Sequence, residues 1–187
     1  MRPSRAVALC CVAAATLFVA GCTGNHSADE EAAVVLSWSF EEAPADQQVN
    51  STADVTIGSM TIRSQAKSPD FSLSQQQDVT LTEWVVTPSR SDGGTAASPE
   101  WRNFYTVFVS AGGAASVQNL RIFPAGYYTE PPLNQLFPWN GGLDKETGKP
   151  EIRQRLHVDV YGKTVSGKRV VLRFDVDVRF YYGTGAE

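Results

Sequence analysis

Cysteine and histidine supply many of the nucleophiles, bases and metal ligands of proteins, and this chain has few of either. Its 187 residues hold three cysteines, Cys10, Cys11 and Cys22, and two histidines, His26 and His157. His157 falls in a strand-like run opposite Asp175, so a Ser-His-Asp arrangement needs only a nearby serine. No GxSxG elbow exists to strain such a serine into attack, and an exposed polar pair is the favoured reading. Asp159, Asp175 and Asp177 alternate with Arg155, Arg173 and Arg179, which reads as a charge ladder on a wet sheet face rather than a cation site. "NGGLDKETGKPE" places Asp144, Glu146 and Glu151 among glycines, as calcium loops do, but the EF-hand spacing is absent and Lys145 and Lys149 interrupt it. "AGGAAS" and "SDGG" lack the lysine and following helix of a phosphate loop. No catalytic residue, metal ligand or cofactor is therefore expected. The remaining candidates are aromatic. Tyr127, Tyr128, Phe137 and Trp139 lie in "PAGYYTEPPLNQLFPWNGG", braced by Pro124, Pro131, Pro132 and Pro138. Tyr127, Tyr128 and Trp139 could stack on sugar rings. The alternative, favoured here, is a plug over an open end of the fold that buries Leu133, Leu136 and Phe137.

The thiols share one address. Arg2 and Arg5 precede an uncharged stretch, Ala6 to Gly21, shorter than the roughly 20 apolar residues of a comfortable transmembrane helix. The order is that of a secretory signal, basic and then apolar and then small. "VAGC", Val19 to Cys22, resembles the lipobox of bacterial lipoproteins. That likeness implies a diacylglyceryl thioether on Cys22, cleavage just before it, and loss of Cys10 and Cys11 with residues 1–21. Residues 22–33, polar and acidic, read as a tether holding the domain off the bilayer. Asp and Glu outnumber Lys and Arg by 20 to 16, and loss of Arg2 and Arg5 deepens the imbalance. An acidic surface argues against nucleic acid and against a polybasic hold on anionic lipid, so the lipid itself must supply the attachment.

Residues 34–183 must form the domain, with 184–187 as a tail. Period-two patterns recur along it. "AVVLSWSF" puts Val34, Leu36, Trp38 and Phe40 on one face. "ADVTIGSMTIR" offers Val55 and Ile57, then Met60 and Ile62 on the opposite parity, as a bulge near Gly58 would produce. "DVTLTEWVVT" sets Val79, Leu81 and Val85 against Trp84 and Val86. "WRNFYTVFVS" is apolar on both faces and reads as a central strand, and "SVQNLRIF" is another short strand. Around "TVSGK" two alternating runs predict a hairpin, with Thr164 and Lys168 closing a loop and Gly167 left-handed. Val160 then faces Leu172, Val158 faces Phe174 and Leu156 faces Val176. On the other face Asp159 meets Arg173, His157 meets Asp175 and Arg155 meets Asp177. The fold class is all-β: an antiparallel β-sandwich, immunoglobulin-like, with an up-and-down barrel as the alternative.

"EWVVTPSRSDGG", "AGGAAS", "EPPLNQL" and "VDVYGKTVSGKRV" together resemble a group of uncharacterised bacterial exported lipoproteins with an immunoglobulin-like domain. The "R-x-DGG" and "YGKTxxGK" turns carry most of that likeness. It implies a sandwich and export, and transfers no catalytic residue. The expected function is that of a lipid-anchored, non-catalytic envelope module for interaction, adhesion or assembly, with a protein partner in the envelope. A carbohydrate-binding or other small-ligand-binding module is the alternative, and a hydrolase stands behind both. Thr23, where an aspartate would favour inner-membrane retention, points to the outer membrane in a double-membraned host.

Overall fold

The computed structural model describes residues 32–44 and 46–183. Cys10, Cys11, Cys22 and His26 lie outside the described residues. The protein is all-β, with 54% of residues in strands and only short 3-10 turns besides. No helix among the described residues is long and apolar enough to cross a membrane.

Eight strands form: β1 (Val34–Glu42), β2 (Gln47–Gln48), β3 (Val55–Ala66), β4 (Val79–Arg90), β5 (Trp101–Val109), β6 (Ala114–Phe123), β7 (Glu151–Thr164) and β8 (Arg169–Tyr181). They make a three-stranded sheet, β1-β3-β6, and a five-stranded sheet, β2-β8-β7-β4-β5. One of the two curls into a half-barrel. The pairing is antiparallel except for the short β2, which runs parallel to β8. β4 lies between β5 and β7, so the strand order is not the sequential one of an up-and-down barrel.

Alternation makes the core. Val34 and Leu36, Ile57 and Met60, Leu81 and Trp84, Val158 and Val160, and Leu172 and Phe174 pack into one buried cluster between the sheets. The β7–β8 hairpin has the expected register, with Leu156 opposite Val176, Val158 opposite Phe174 and Val160 opposite Leu172. Thr164 N–H donates to Lys168 O at 2.9 Å, and Gly167 has φ +82°. Trp38 on β1 donates its indole N–H to Arg173 O on β8 at 3.1 Å, tying the two sheets together along one side.

Two strands depart from the sequence reading. In β4 the register shifts between Leu81 and Glu83 toward both neighbours. The shift rotates Trp84 and Val86 onto the same core face as Leu81, and Val85 turns to the opposite face, where it is still only 7% exposed. Gly162 lies opposite Leu81, where a Cβ would strike Thr80 O, so only glycine lets β7 approach the shifted strand. β5 is an edge strand, not a central one. Phe104 and Phe108, the residues that gave it a second apolar face, are 76% and 56% exposed. In β3, Ile57 and Met60 are both buried, as the parity switch requires. The irregularity sits in β1, between Phe40 and Glu42, and Asn119, at the corresponding point of β6, is left-handed with φ +51°.

Candidate functional site

The outer face of the five-stranded sheet concentrates the polar side chains. Core-facing residues of β7 and β8 point inward at every second position, so their neighbours point out together. Arg155 grips Asp177 through Nε and Nη2, both at 3.0 Å. Arg173 Nε lies 3.2 Å from Asp159. His157 Nδ1 is 2.8 Å from Asp175 Oδ1.

The bulged β4 adds a residue that the hairpin pairing could not reveal. Thr87 pairs with His157 and Ser89 with Arg155. Ser89 Oγ reaches His157 Nε2 at 2.9 Å. With its proton on Nδ1, the neutral imidazole donates to Asp175 and accepts from Ser89. Serine, base and orienting carboxylate are thus in the order that acyl transfer uses. The setting differs. His157 and Asp175 are 45% and 53% exposed, so water competes for each bond. The backbone beneath belongs to the β4–β7–β8 ladders, and the guanidinium of Arg155, which pairs with Ser89 across the strands, is held by Asp177. A developing oxyanion has no preorganised donor pair there.

Beside Ser89 the same face opens into a cavity of about 560 Å³ lined by Asp46, Ser91, Arg153, Arg155, Asp177, Val178 and Arg179. Arg153 and Arg179 are direct cross-strand neighbours. Carboxylates separate their charges: Glu151 lies 2.9 Å from Arg153 Nη2, and Asp46 lies 2.6 Å from Arg179 Nη2. The cavity is polar but charge-balanced.

The acids of the "NGGLDKETGKPE" loop are committed to protein partners. Asp144 is fully buried and takes Arg90 Nη2 at 2.7 Å. Arg90, its side chain 1% exposed, also binds Asp92 through Nε at 2.8 Å and donates to Ala96 O. Glu146 accepts from Thr95 N–H, Thr95 Oγ1 and Ala96 N–H. A guanidinium therefore sits where a cation would be sought. Burial alone would raise the Asp92 carboxyl. Hydrogen bonds from Arg90 and from the N–H groups of Arg153 and Gly94, with the Arg90 charge, outweigh it and hold the group at about 2. Asp144 is lowered as well, burial being overcome by Arg90 and Thr147. Gly93 takes φ +97°, and a Cβ on Gly94 would collide with the Arg90 guanidinium. Those two glycines let the "R-x-DGG" turn wrap its own arginine.

The aromatic loop is mostly plug. Leu133 and Leu136 are fully buried and Phe137 is 8% exposed. Tyr128 is buried, stacks near Phe123 with centroids 6.1 Å apart, and donates its hydroxyl to Ala53 O at 2.9 Å. Burial first, and the Asp54 charge second, push its phenol above the usual range. Tyr127 packs edge-on against Phe123 and donates to Glu100 O. Trp139 is 73% exposed and rests on Phe137 and Tyr182. The three aromatics proposed as a sugar platform thus do not share a face: burial of Tyr128 against Phe123 and Phe180 leaves it no free ring surface.

No family model matches the chain, and no curated protein does. A solved structure titled "X-ray structure of Northeast Structural Genomics Consortium target SoR45" is similar at a TM-score of 0.35 and 13% identity, over 83% of this chain and 90% of that one. A likeness at that level carries no argument about function.

Proposed function

We propose that this protein is a lipid-anchored, non-catalytic module of the bacterial cell envelope, built on an immunoglobulin-like sandwich and attached through Cys22. The likeness to exported lipoproteins, carried by "VAGC" and the "R-x-DGG" and "YGKTxxGK" turns, supports the attachment and the export. Two sheets about one core support the sandwich. One observation carries the non-catalytic reading. The acids and bases of the exposed sheet face are spent on one another across strands, and the "R-x-DGG" motif builds a structural staple rather than a reactive centre. The face then serves as a preformed polar surface for a protein partner in the envelope, in the outer membrane where the host has two.

The Ser89–His157–Asp175 chain favours a second reading, a serine hydrolase. A fluorophosphonate probe separates the two, because it reports a nucleophilic serine without knowledge of the substrate. The module reading expects no adduct at Ser89. An adduct lost in both Ser89→Ala and His157→Ala would replace it with acyl transfer. Crosslinking from intact membranes would then identify the partner that the module reading requires.

A further inference from the structure

The outer face of the five-stranded sheet holds a second cavity, apart from the one beside Ser89. Its volume is about 550 Å³. Tyr161, Val171, Thr80 and Thr82 line it, and Lys163, Arg169 and Glu83 supply its charges. The ladders explain why these residues meet. Thr80, Lys163 and Arg169 are successive partners across β4, β7 and β8, and Glu83, Tyr161 and Val171 form the next such row. Directly opposed residues share a face, and the core-facing Val160 and Leu172 leave their neighbours on the outside. The cavity therefore lies where β4 shifts its register between Leu81 and Glu83.

Its charges do not balance. Lys163 and Arg169 stand directly opposite each other, an arrangement that costs stability when nothing lies between the two cations. The other arginines of this face are matched: Arg155 by Asp177, Arg173 by Asp159 and Arg179 by Asp46. Among the described residues, neither Lys163 nor Arg169 has a carboxylate partner. Glu83 also lines the cavity, but Arg102 Nη1 holds it at 3.0 Å, and the Nε of the same arginine lies 3.0 Å from Glu100. The Tyr161 hydroxyl donates to Asp159, whose charge Arg173 already meets. In the group formed by Lys163, Arg169, Arg102, Glu83 and Glu100, three cations thus meet two carboxylates. One negative charge completes it. A dianion would exceed the balance and face Glu83.

The geometry points to a small organic monocarboxylate with an apolar body as the ligand of this cavity. Its carboxylate sits between Lys163 and Arg169, where charge-assisted hydrogen bonds remove the repulsion of the two cations. Its body packs on the Tyr161 ring, which is 37% exposed, and on Val171. Thr80 and Thr82 add hydroxyl donors at the same rows. The volume falls in the range of small-molecule sites, about 300–1,000 Å³, and is far smaller than the surface a protein partner covers. The site goes beyond the module reading and does not depend on attachment through Cys22.

Calorimetric titration at pH 7 tests it, with 2-naphthoate as the probe and the full chain carrying Cys22→Ser so that no lipid competes for the probe. The expected result is saturable binding at one site. The neutral isostere 2-naphthamide should bind at least about tenfold more weakly, the scale of a charge-assisted hydrogen bond. Lys163→Gln with Arg169→Gln should cost the same factor, while Lys149→Gln, which removes a cation from another loop, should change affinity by less than about twofold. Bound naphthoate should raise the thermal midpoint of the parent and not of the double variant. That comparison also shows whether the double variant is folded. Asp29, Glu30 and Glu31 precede the described residues and carry the same chemistry, so they are tested as competitors. Asp29→Asn with Glu30→Gln and Glu31→Gln should leave the affinity within about twofold. A tenfold gain in that variant would make the chain's own acids the occupant and overturn the inference. It is equally overturned by the absence of saturable binding, by an amide that binds as well as the acid, or by tighter binding of 2-naphthyl phosphate.

Discussion

Arg90 stabilises two buried carboxylates at once, and its removal leaves both without their charge partner. Arg90→Ala should cost about 3–5 kcal/mol, the range for breaking a buried pair, read as the change in the urea unfolding midpoint. Arg155→Ala, which breaks an exposed bidentate pair with Asp177, should cost under about 1 kcal/mol. Equal losses would refute this division between staple and ladder. The Asp92 carboxyl supplies a pH test. Its pKa is about 2 in the fold against 3.8 ordinarily, so its contribution is full above about pH 4 and is lost as pH falls toward 2. The lost stability is on the order of 2 kcal/mol, and the shifts of Asp144 and Glu146 have the same sign. Acid unfolding of the parent should steepen in that window. In Asp92→Asn the steepening should shrink, leaving the part that Asp144 and Glu146 contribute. This staple was hidden in the sequence because Arg90 and Asp144 are 54 positions apart, and nothing in the loop composition distinguishes a guanidinium's partner from a calcium ligand.

At the scale of elements, the β7–β8 hairpin was legible to the residue because thirteen consecutive cross-strand pairs obey one alternation. β4 was legible as a strand but not in its facing. One extra residue at the Leu81–Glu83 shift moves Trp84 to the core, and no composition marks where a bulge falls. That shift also brought Ser89 to His157. β5 misled for a different reason: exposed aromatics and buried ones look alike in a pattern, and only the sheet order shows that β5 has a free edge. Gly162 tests the bulge. Gly162→Val drives a side chain into Thr80 O and should lower stability by several kcal/mol, roughly 3. Gly148→Ala is a milder comparison: nothing stands within 4 Å of its Cβ, though its φ of +69° carries a backbone cost of about 1 kcal/mol. A Gly162→Val protein as stable as the parent would mean that β7 does not lie this close to the shifted strand.

The whole molecule divides into a chain-entry end with exposed Phe71, Phe108 and Val165, a charge-paired sheet along its flank and an aromatic plug. The two sheets and one core were readable from alternation and turn residues; the gathering of Phe71, Phe108 and Val165 at one end was not, because they come from a connection, a strand and a turn far apart in the chain. The proposed attachment through Cys22 would orient these surfaces, and it is the claim on which that orientation depends. Growth with radiolabelled palmitate, followed by gel fluorography of the parent and of Cys22→Ser, tests it most directly. The account predicts label on the parent and none on Cys22→Ser. Label that persists on Cys22→Ser, or an unlabelled parent in a host that labels its other lipoproteins, would contradict it.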